Sequence, residues 1–444
     1  MKNVPFILFT LLVLTIWVLL SIDYFHIYEN EDKFENSQNL ILENIKSREG
    51  KKEIEKKYLI LHQGGMGWRP LLAENMIKNH NYIEKLPFDG FTVVGNSYTD
   101  RVMQKDTTVT YKEVWQEVKG LKDLYKIKTQ NFMIINIHFP ADFWNNKAWE
   151  RVAKNFAVVA RVAKEIGFKG IVFDDEPYTK DAYKMTNFQF PTKDEVKKYP
   201  NRYKEWEKKG AEPKWVDYTT NREAYRNKKY NFKEHTDKIT QRFKKIMKEM
   251  VKEYPKITTL VYFGASFAHP KTDQKDILTS STAGVRTHEY KGAMFVGFKE
   301  GLGEDATLYD MAERYAYRKN IHFQNSYLWR KYAIADNKNN NRVDSSYQWF
   351  IPKRDREDWS KRVQIGFMTF NQGLKNPYNS EYDTRDKSTP KDISSSIQKA
   401  LKYSDRYVVY FCLKQNWLMP NIPKFHINKE WKEAINKAYK SKLN

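Results

Sequence analysis

The chain predicts an α/β fold, a (β/α)8 TIM barrel, and three observations carry that expectation. Short apolar runs alternate with helical patterns from Tyr58 to Lys440, the rhythm of parallel strands joined by right-handed crossovers. Several runs stop at a carboxylate, an amide or an imidazole, which places polar groups on the C-terminal edge where such barrels carry their chemistry. The pattern is plainest at residues 167–178, Gly-Phe-Lys-Gly-Ile-Val-Phe-Asp-Asp-Glu-Pro-Tyr, where a buried strand delivers three acids to its end.

Taken in order, the chain opens on residues 4–22, almost entirely apolar and close to the ~20 residues that span a bilayer. Lys2 precedes the run, and Asp23, Glu29, Glu31 and Asp32 follow it, which predicts the N-terminus inside and the bulk of the chain outside the cytoplasm. Neither a small-residue cleavage site nor a lipobox cysteine follows, so residues 1–22 are expected to form an uncleaved transmembrane anchor, with a cleaved signal peptide as the alternative. The expected location is membrane-anchored and extracytoplasmic, on the periplasmic or cell-surface side. Residues 23–57 are polar and read as a stalk. The barrel is expected over 58–444.

Its strands are predicted at 58–62, 90–95, 132–138, 170–176, 257–263, 306–310, 364–370 and 407–412, and helices at 70–86, 111–125, 147–166, 233–254, 314–333, 391–403 and 429–440. Residues 292–302 read either as a strand ending in Glu300 or as a helix with Met294, Phe295, Phe298 and Leu302 on one face; the helix is chosen because it supplies the partner after strand five. Between strand four and the next helix, residues 177–232 form a basic insertion rich in aromatics, among them Tyr178, Trp206, Trp215 and Tyr230. Loops at that edge line the active site of a barrel, so these rings are either sugar platforms or a satellite core.

Counting inward faces by alternation from each strand end collects His62, Asn96, Asn136, His138, Asp174, Glu176, Asp310, Asn371 and Lys414 on one rim. Trp68, Tyr178, Tyr262 and Trp417 add aromatic surface for substrate. Acids on strands four and six suit glycoside hydrolysis, in which one protonates the leaving oxygen and another attacks or activates water. Glu176 is the expected acid/base, Asp310 or Glu313 its opposite number, and Asp174 an orienter. Asp175 points toward the helices and is left out.

A metal set of His62, His138, Asp174 and Asp175 competes with this reading, but strand one lacks a His-x-His pair and no tight Asp motif accompanies it, so neither metal nor cofactor is expected. No phosphate-binding glycine loop or Gly-x-Ser-x-Gly elbow is present. The net charge of +22 invites a polyanion partner, yet the lysines are scattered over helices, and nucleic acid is not expected. Cys412 stands alone in the chain, which rules out an intramolecular disulfide.

Pro87-Phe88-Asp89-Gly90, residues 170–178, Leu308-Tyr309-Asp310-Met311-Ala312-Glu313, and Arg406-Tyr407-Val408-Val409-Tyr410 leading to Asn416-Trp417 resemble an uncharacterised group of bacterial TIM-barrel, glycoside-hydrolase-like proteins. The strand-six segment of that group runs Asp-Gly-Asn-Glu, which carries interest onto Asp310 and Glu313. This chain departs from it at Met311 and Ala312, and has Gly-Trp-Arg-Pro at 67–70 where the group has an acid before the proline. Residues 167–176 are also similar to the strand-four motif of chitinase-type barrels, with Asp174 and Glu176 matching its Asp-x-Glu ending, while Lys169 and Val172 replace its earlier aspartates. The expected function is a glycoside hydrolase acting on an envelope or imported glycan. The alternatives are a non-catalytic carbohydrate-binding or envelope-assembly barrel and a basic surface protein that binds anionic polymer.

Overall fold

The computed structural model describes residues 56–64, 66–104, 106–137, 143–177, 232–265, 289–312, 319–333, 351–371, 389–412, 416–422, 427 and 429–441. The chain divides into two units, Met1–Lys56 and Lys57–Asn444. Only Lys56 of the first is described, so the expected anchor lies outside the described residues, as do all of the expected stalk but Lys56 and Lys57 and nearly all of the insertion 177–232. Among the described residues no helix is long and apolar enough to cross a membrane.

In the second unit the strands are β1 Tyr58–Gln63, β2 Gly90–Val93, β3 Phe132–Ile137, β4 Gly170–Pro177, β5 Thr258–Val261, β6 Thr307–Asp310, β7 Val363–Ile365, β8 Phe367–Asn371 and β9 Tyr407–Cys412. The helices that follow them are α1 Ala73–Lys78, α2 Tyr111–Val118, α3 Asn146–Glu165, α4 Phe232–Glu253, α5 Glu289–Gly301, α6 Asn320–Leu328, α7 Pro390–Tyr403 and α8 Lys429–Ser441. α5 occupies the run that could have been either strand or helix. The helix expected at 314–333 begins only at Asn320 within the described residues and ends in a π-helical turn, Trp329–Ala333.

All strands pair in parallel in the order β7-β6-β5-β4-β3-β2-β1-β9-β8. The two ends of this ladder are halves of the single run expected as strand seven, interrupted only by Gly366. β7 pairs with β6 and β8 with β9, while the N–H of Gly366 donates to the carbonyl of Asp310 at 2.9 Å. The ladder therefore closes on itself as an eight-stranded barrel with a kinked seventh strand. The kink needs glycine because a Cβ there would lie 2.3 Å from the Met311 sulfur and 2.9 Å from the Tyr407 carbonyl oxygen.

Ring contacts between strands that are not ladder neighbours identify the interior. Tyr407 of β9 meets Tyr309 of β6 at 5.1 Å and Phe132 of β3 at 5.4 Å, which only a path through the barrel allows. Strand registers carry that parity round the sheet, so Ile60, Ile134, Val172, Leu260 and Val409 form the layer above these rings. The other parity faces the helices: Phe173 packs on Phe156 of α3, Phe243 of α4 and Phe298 of α5. Burying one such ring contributes roughly 1.5–3 kcal/mol, and Phe173→Ala would open a cavity shared by three helices.

Local signals place the helices. α2 starts in a capping box between Thr110 and Glu113, α7 in one between Thr389 and Asp392 with Pro390 in its first turn, and α3 at an Asn145 cap. Each satisfies N–H groups that the first helical turn leaves without partners.

Candidate functional site

The acidic end of β4 is a bulge. β3 and β4 stay in register up to Asn136 opposite Asp174, and the next pair is Ile137 with Pro177, so Asp175 and Glu176 are additional residues on β4 alone. The Asp174 Oδ1 accepts the Glu176 N–H at 3.1 Å, a side-chain turn that bends the strand. The bend sends three consecutive acids to three environments. Asp174 is buried on the inner face, Glu176 is half-buried at the mouth, and Asp175, on the parity of Phe173, is fully buried behind the wall.

There the Asp175 Oδ1 accepts the Phe263 N–H at 2.9 Å, which ties the end of β4 to the end of β5. Burial pushes the Asp175 carboxyl up to about 6, against the opposing pull of the Lys291 charge and backbone hydrogen bonds; Asp310 adds to the rise. Lys291, from the first turn of α5, is itself buried with its ammonium 3.3 Å from the centre of the Phe263 ring.

On the inner face at the same end, one ring nitrogen of His62, Nδ1, lies 2.9 Å from the Thr92 hydroxyl and 2.8 Å from the Tyr262 hydroxyl. Burial drives the imidazole down to about 3, so His62 is a neutral ring at ordinary pH. Phe411 lies tilted beside it at 4.8 Å between ring centres, and Phe370 lies tilted against Phe411 at 5.1 Å. Asn136 completes the face next to Asp174. Its backbone N–H donates to the Thr99 carbonyl at 3.0 Å and its Nδ2 to the Asp100 carboxylate at 2.8 Å, while its buried Oδ1 has no hydrogen-bond partner.

The structure thus brings together His62, Asn136, Asp174, Glu176 and Tyr262. Asn96 is exposed on the loop after β2, its backbone N–H held by the Glu117 carboxylate at 2.6 Å. Trp417 is not on the inner face: it is fully buried against Phe88 and Tyr410 on the helix side of β9, with its backbone N–H donating to the Gln63 side-chain oxygen at 2.8 Å. Glu313, His138, Tyr178 and Lys414 lie outside the described residues, as do the side chains of Trp68 and Asn371.

Asp310 also leaves the rim. Inward parity on β6 belongs to Tyr309, so Asp310 faces the helix layer, where the Arg330 Nη1 donates to its carbonyl oxygen at 2.7 Å and approaches its carboxylate at 3.3 Å. The Ala312 N–H adds a third bond at 3.1 Å. Counting inward from the strand end had assumed that the terminal acid faces the cleft; the ring layer at Tyr309 reverses that count by one residue. Acid at the cleft therefore comes from β4 among the described residues. The metal set weighed from the sequence is divided in the same way, His62 and Asp174 inside and Asp175 outside, and among the described residues no group of three or more His, Cys, Asp and Glu is arranged to hold a metal ion.

Alternation did not point to Thr92, Phe370, Phe411 or Asp100. The first three share the inward parity of strands already assigned, so that parity was the available signal. Asp100 lies in a turn beyond β2, and nothing in its spacing marks it.

An Asp and a Glu two residues apart at the end of β4, near a buried neutral imidazole and the half-buried Phe411 ring, can orient and transfer a proton to a ligand held at the mouth. No protein-family model matches the chain, and no curated protein matches it. Among solved structures it is similar to the β-mannanase of the blue mussel Mytilus edulis, at 6% identity and a TM-score of 0.41 over 86% of this chain and 91% of that one. It is also similar to the β-1,4-D-mannanase of Cryptopygus antarcticus, at 7% and 0.41 over 86% and 90%, and to an endocellulase of Pyrococcus horikoshii, at 11% and 0.37 over 88% and 93%. Likeness at this level carries neither fold nor chemistry, so both rest on the closed strand ladder and on the side chains at its rim.

Proposed function

We propose that this chain is a glycoside hydrolase in which Glu176 is the general acid/base and Asp174 orients it. The observation that carries the reading is the bulge at the end of β4, which holds Asp174 buried on the inner face and leaves Glu176 half-buried at the mouth. A buried carboxylate that accepts the backbone N–H of the acid fixes the loop from which the acid reaches. The half-buried Phe411 ring supplies an apolar face for a sugar ring, above a floor of buried neutral side chains, His62, Tyr262 and Phe370. Glu313, three residues past Asp310, is the proposed opposite number, with carboxyl separation of about 5–5.5 Å for retention or about 6.5–9.5 Å for inversion. The expected setting is the extracytoplasmic side of a membrane, held there by residues 1–22, with an envelope or imported glycan as substrate.

The binding-only reading gains from one specific observation: Asp310 is spent on Arg330 behind the wall. Screening the protein against aryl glycosides and envelope glycans, with Glu176→Gln as the control, separates the two. Hydrolysis that falls about 10²–10⁴-fold in the variant supports catalysis by Glu176. Glycan affinity left intact by the substitution, with no turnover of any substrate by the parent, supports the binding barrel instead.

A further inference from the structure

We infer that the edge of the barrel where the strands begin, opposite the mouth, docks on an anionic lipid surface, with Ile127 inserting among lysines that meet the headgroups. Neither the glycan reading nor the expected anchor is needed for it.

Ile127 is 66% exposed, the one large apolar side chain so placed among the described residues. A lone exposed apolar residue is ordinary, but this one is held out by a pinned loop. Its N–H donates to the Glu84 carboxylate, and its carbonyl accepts the Thr129 N–H at 3.0 Å. On one side the Tyr125 hydroxyl donates to the Met76 carbonyl at 2.8 Å; on the other the buried Lys128 ammonium donates to the Leu86 carbonyl at 2.6 Å. A loop tied at these points keeps Ile127 off the core and in water until a partner covers it.

The surroundings of Ile127 narrow the partner's chemistry. Parallel strands begin on one edge, and the starts of β2, β3 and β4 are tied together there. The Gln130 N–H donates to the Asp89 carbonyl at 3.1 Å, and the Lys169 N–H to the Asn131 carbonyl at 2.9 Å. The stretches leading into these strands, residues 84–89, 119–131 and 164–169, expose Lys85, Lys119, Lys122, Lys126 and Lys164 against one exposed acid, Asp123. Their half-buried acids are engaged, Glu84 with the Ile127 N–H and Glu165 with Arg161 and the Tyr111 hydroxyl. Lys164 closes α3, where a helix C-terminus attracts a cation. Lys122 and Lys126 lie outside any α-helix, so that cause does not reach them. A dissolved polyanion would account for the lysines alone. An apolar side chain in a basic collar suits a bilayer surface, whose anionic headgroups attract each lysine and whose acyl boundary takes the isoleucine. Docked this way, the barrel turns its mouth away from the lipid.

The test is fluorescence of the full chain carrying Thr129→Cys, next to Ile127 in the loop, labelled with the environment-sensitive probe nitrobenzoxadiazole; the native Cys412 is buried and stays unlabelled. A second chain carries the probe on Asn96→Cys, at an exposed position on the mouth side. On vesicles of phosphatidylcholine and phosphatidylglycerol in equal parts, emission from position 129 should shift to the blue. Pure phosphatidylcholine should give no shift, and position 96 none on either vesicle. Each chain is read on both vesicles, so an inserted anchor does not by itself produce that contrast. Added salt should reverse the shift. In the chain labelled at 129, Ile127→Ser should lower the ratio of docked to undocked protein about tenfold. Lys122→Gln with Lys126→Gln should lower it about 25-fold, roughly fivefold per charge. All three side chains are exposed, so the fold should stay intact. Absence of a shift on the mixed vesicles overturns the inference, as does an equal shift on pure phosphatidylcholine or at position 96. Docking that is lost in the lysine variant but kept in full by Ile127→Ser also overturns it, because the face would then answer to charge alone, as it would with a dissolved polyanion.

Discussion

Replacing Asp310 with asparagine tests whether that carboxylate supports the wall or the chemistry. Asp310 and Arg330 are 2% exposed or less as side chains, and their charged atoms lie 3.3 Å apart. Removing one member of such a pair leaves an uncompensated charge in a medium that solvates it poorly, at a cost of about 3–5 kcal/mol. Asparagine keeps part of the arrangement. Its side-chain oxygen still accepts the Ala312 N–H, and Arg330 retains the carbonyl of residue 310 and the Ser326 carbonyl and hydroxyl. The guanidinium also stays against the Phe367 ring at 4.5 Å. Retained bonds of this kind offset roughly 1 kcal/mol, so Asp310→Asn should lose about 2–4 kcal/mol in equilibrium urea unfolding. The double replacement Asp310→Leu with Arg330→Met removes both charges together and should recover much of that loss. The opposite result, an unfolding free energy unchanged or raised in Asp310→Asn with any glycosidase turnover abolished, would show an acid at work in the cleft and refute the assignment to the wall.

Two further outcomes follow from the same side chains. Unfolded His62 takes up a proton as pH falls through about 6.5, whereas the folded ring resists until about 3, so its contribution to stability is lost as pH falls through that window. The folded Asp175 carboxyl holds its proton up to about 6, above the unfolded value of about 3.9, so its contribution is lost as pH rises. Between about pH 4 and 6 the slopes oppose at roughly 1.4 kcal/mol per pH unit each; Asp175→Asn should steepen the acid loss and His62→Gln should reverse it, and identical slopes in urea titrations of all three proteins would sink the account. Gly264→Ala should destabilise by more than about 1 kcal/mol in the same assay, because Gly264 has φ +67 and a Cβ there would lie 2.4 Å from the Asp310 carboxyl carbon; an unchanged midpoint would show that the turn relaxes freely.

The barrel was legible because strands buried on both faces are continuous apolar runs, and runs such as Ile134–Ile135 or Val408–Val409 cannot be mistaken for polar loops. The break in strand seven was not read, although a glycine inside a strand is the usual mark of close backbone approach, and Gly366 fits against Met311 and Tyr407 for that reason. Facing was harder than placing. Alternation fixes which residues share a face but not which face is inside, and on β6 the deciding fact is the contact of Tyr309 with Tyr407, separated in sequence by 98 positions. On β4 alternation also fails beyond Asp174, because the two-residue bulge resets the count. Trp417 carried no local sign that Phe88 and Tyr410 would enclose it, since long-range packing leaves no spacing pattern near the ring.

The same bulge explains why three adjacent carboxylates coexist at one strand end. On a regular strand Asp174 and Glu176 would stand side by side on the inner face, and repulsion in a poorly solvated barrel would favour neutralising one of them. The bulge instead turns the Asp174 side chain back onto the Glu176 N–H and moves the Glu176 carboxylate outward to the mouth, where water screens it. The turn must be held against that repulsion, and Asp175 holds it. Its bond to the Phe263 N–H anchors the bulge to β5 at the residue next to Tyr262, whose hydroxyl reaches His62 across the barrel. Position at the mouth is therefore set from behind the wall, and a substitution at Asp175 should reach the His62–Tyr262 pair and Glu176 together although its own side chain touches neither cleft nor ligand.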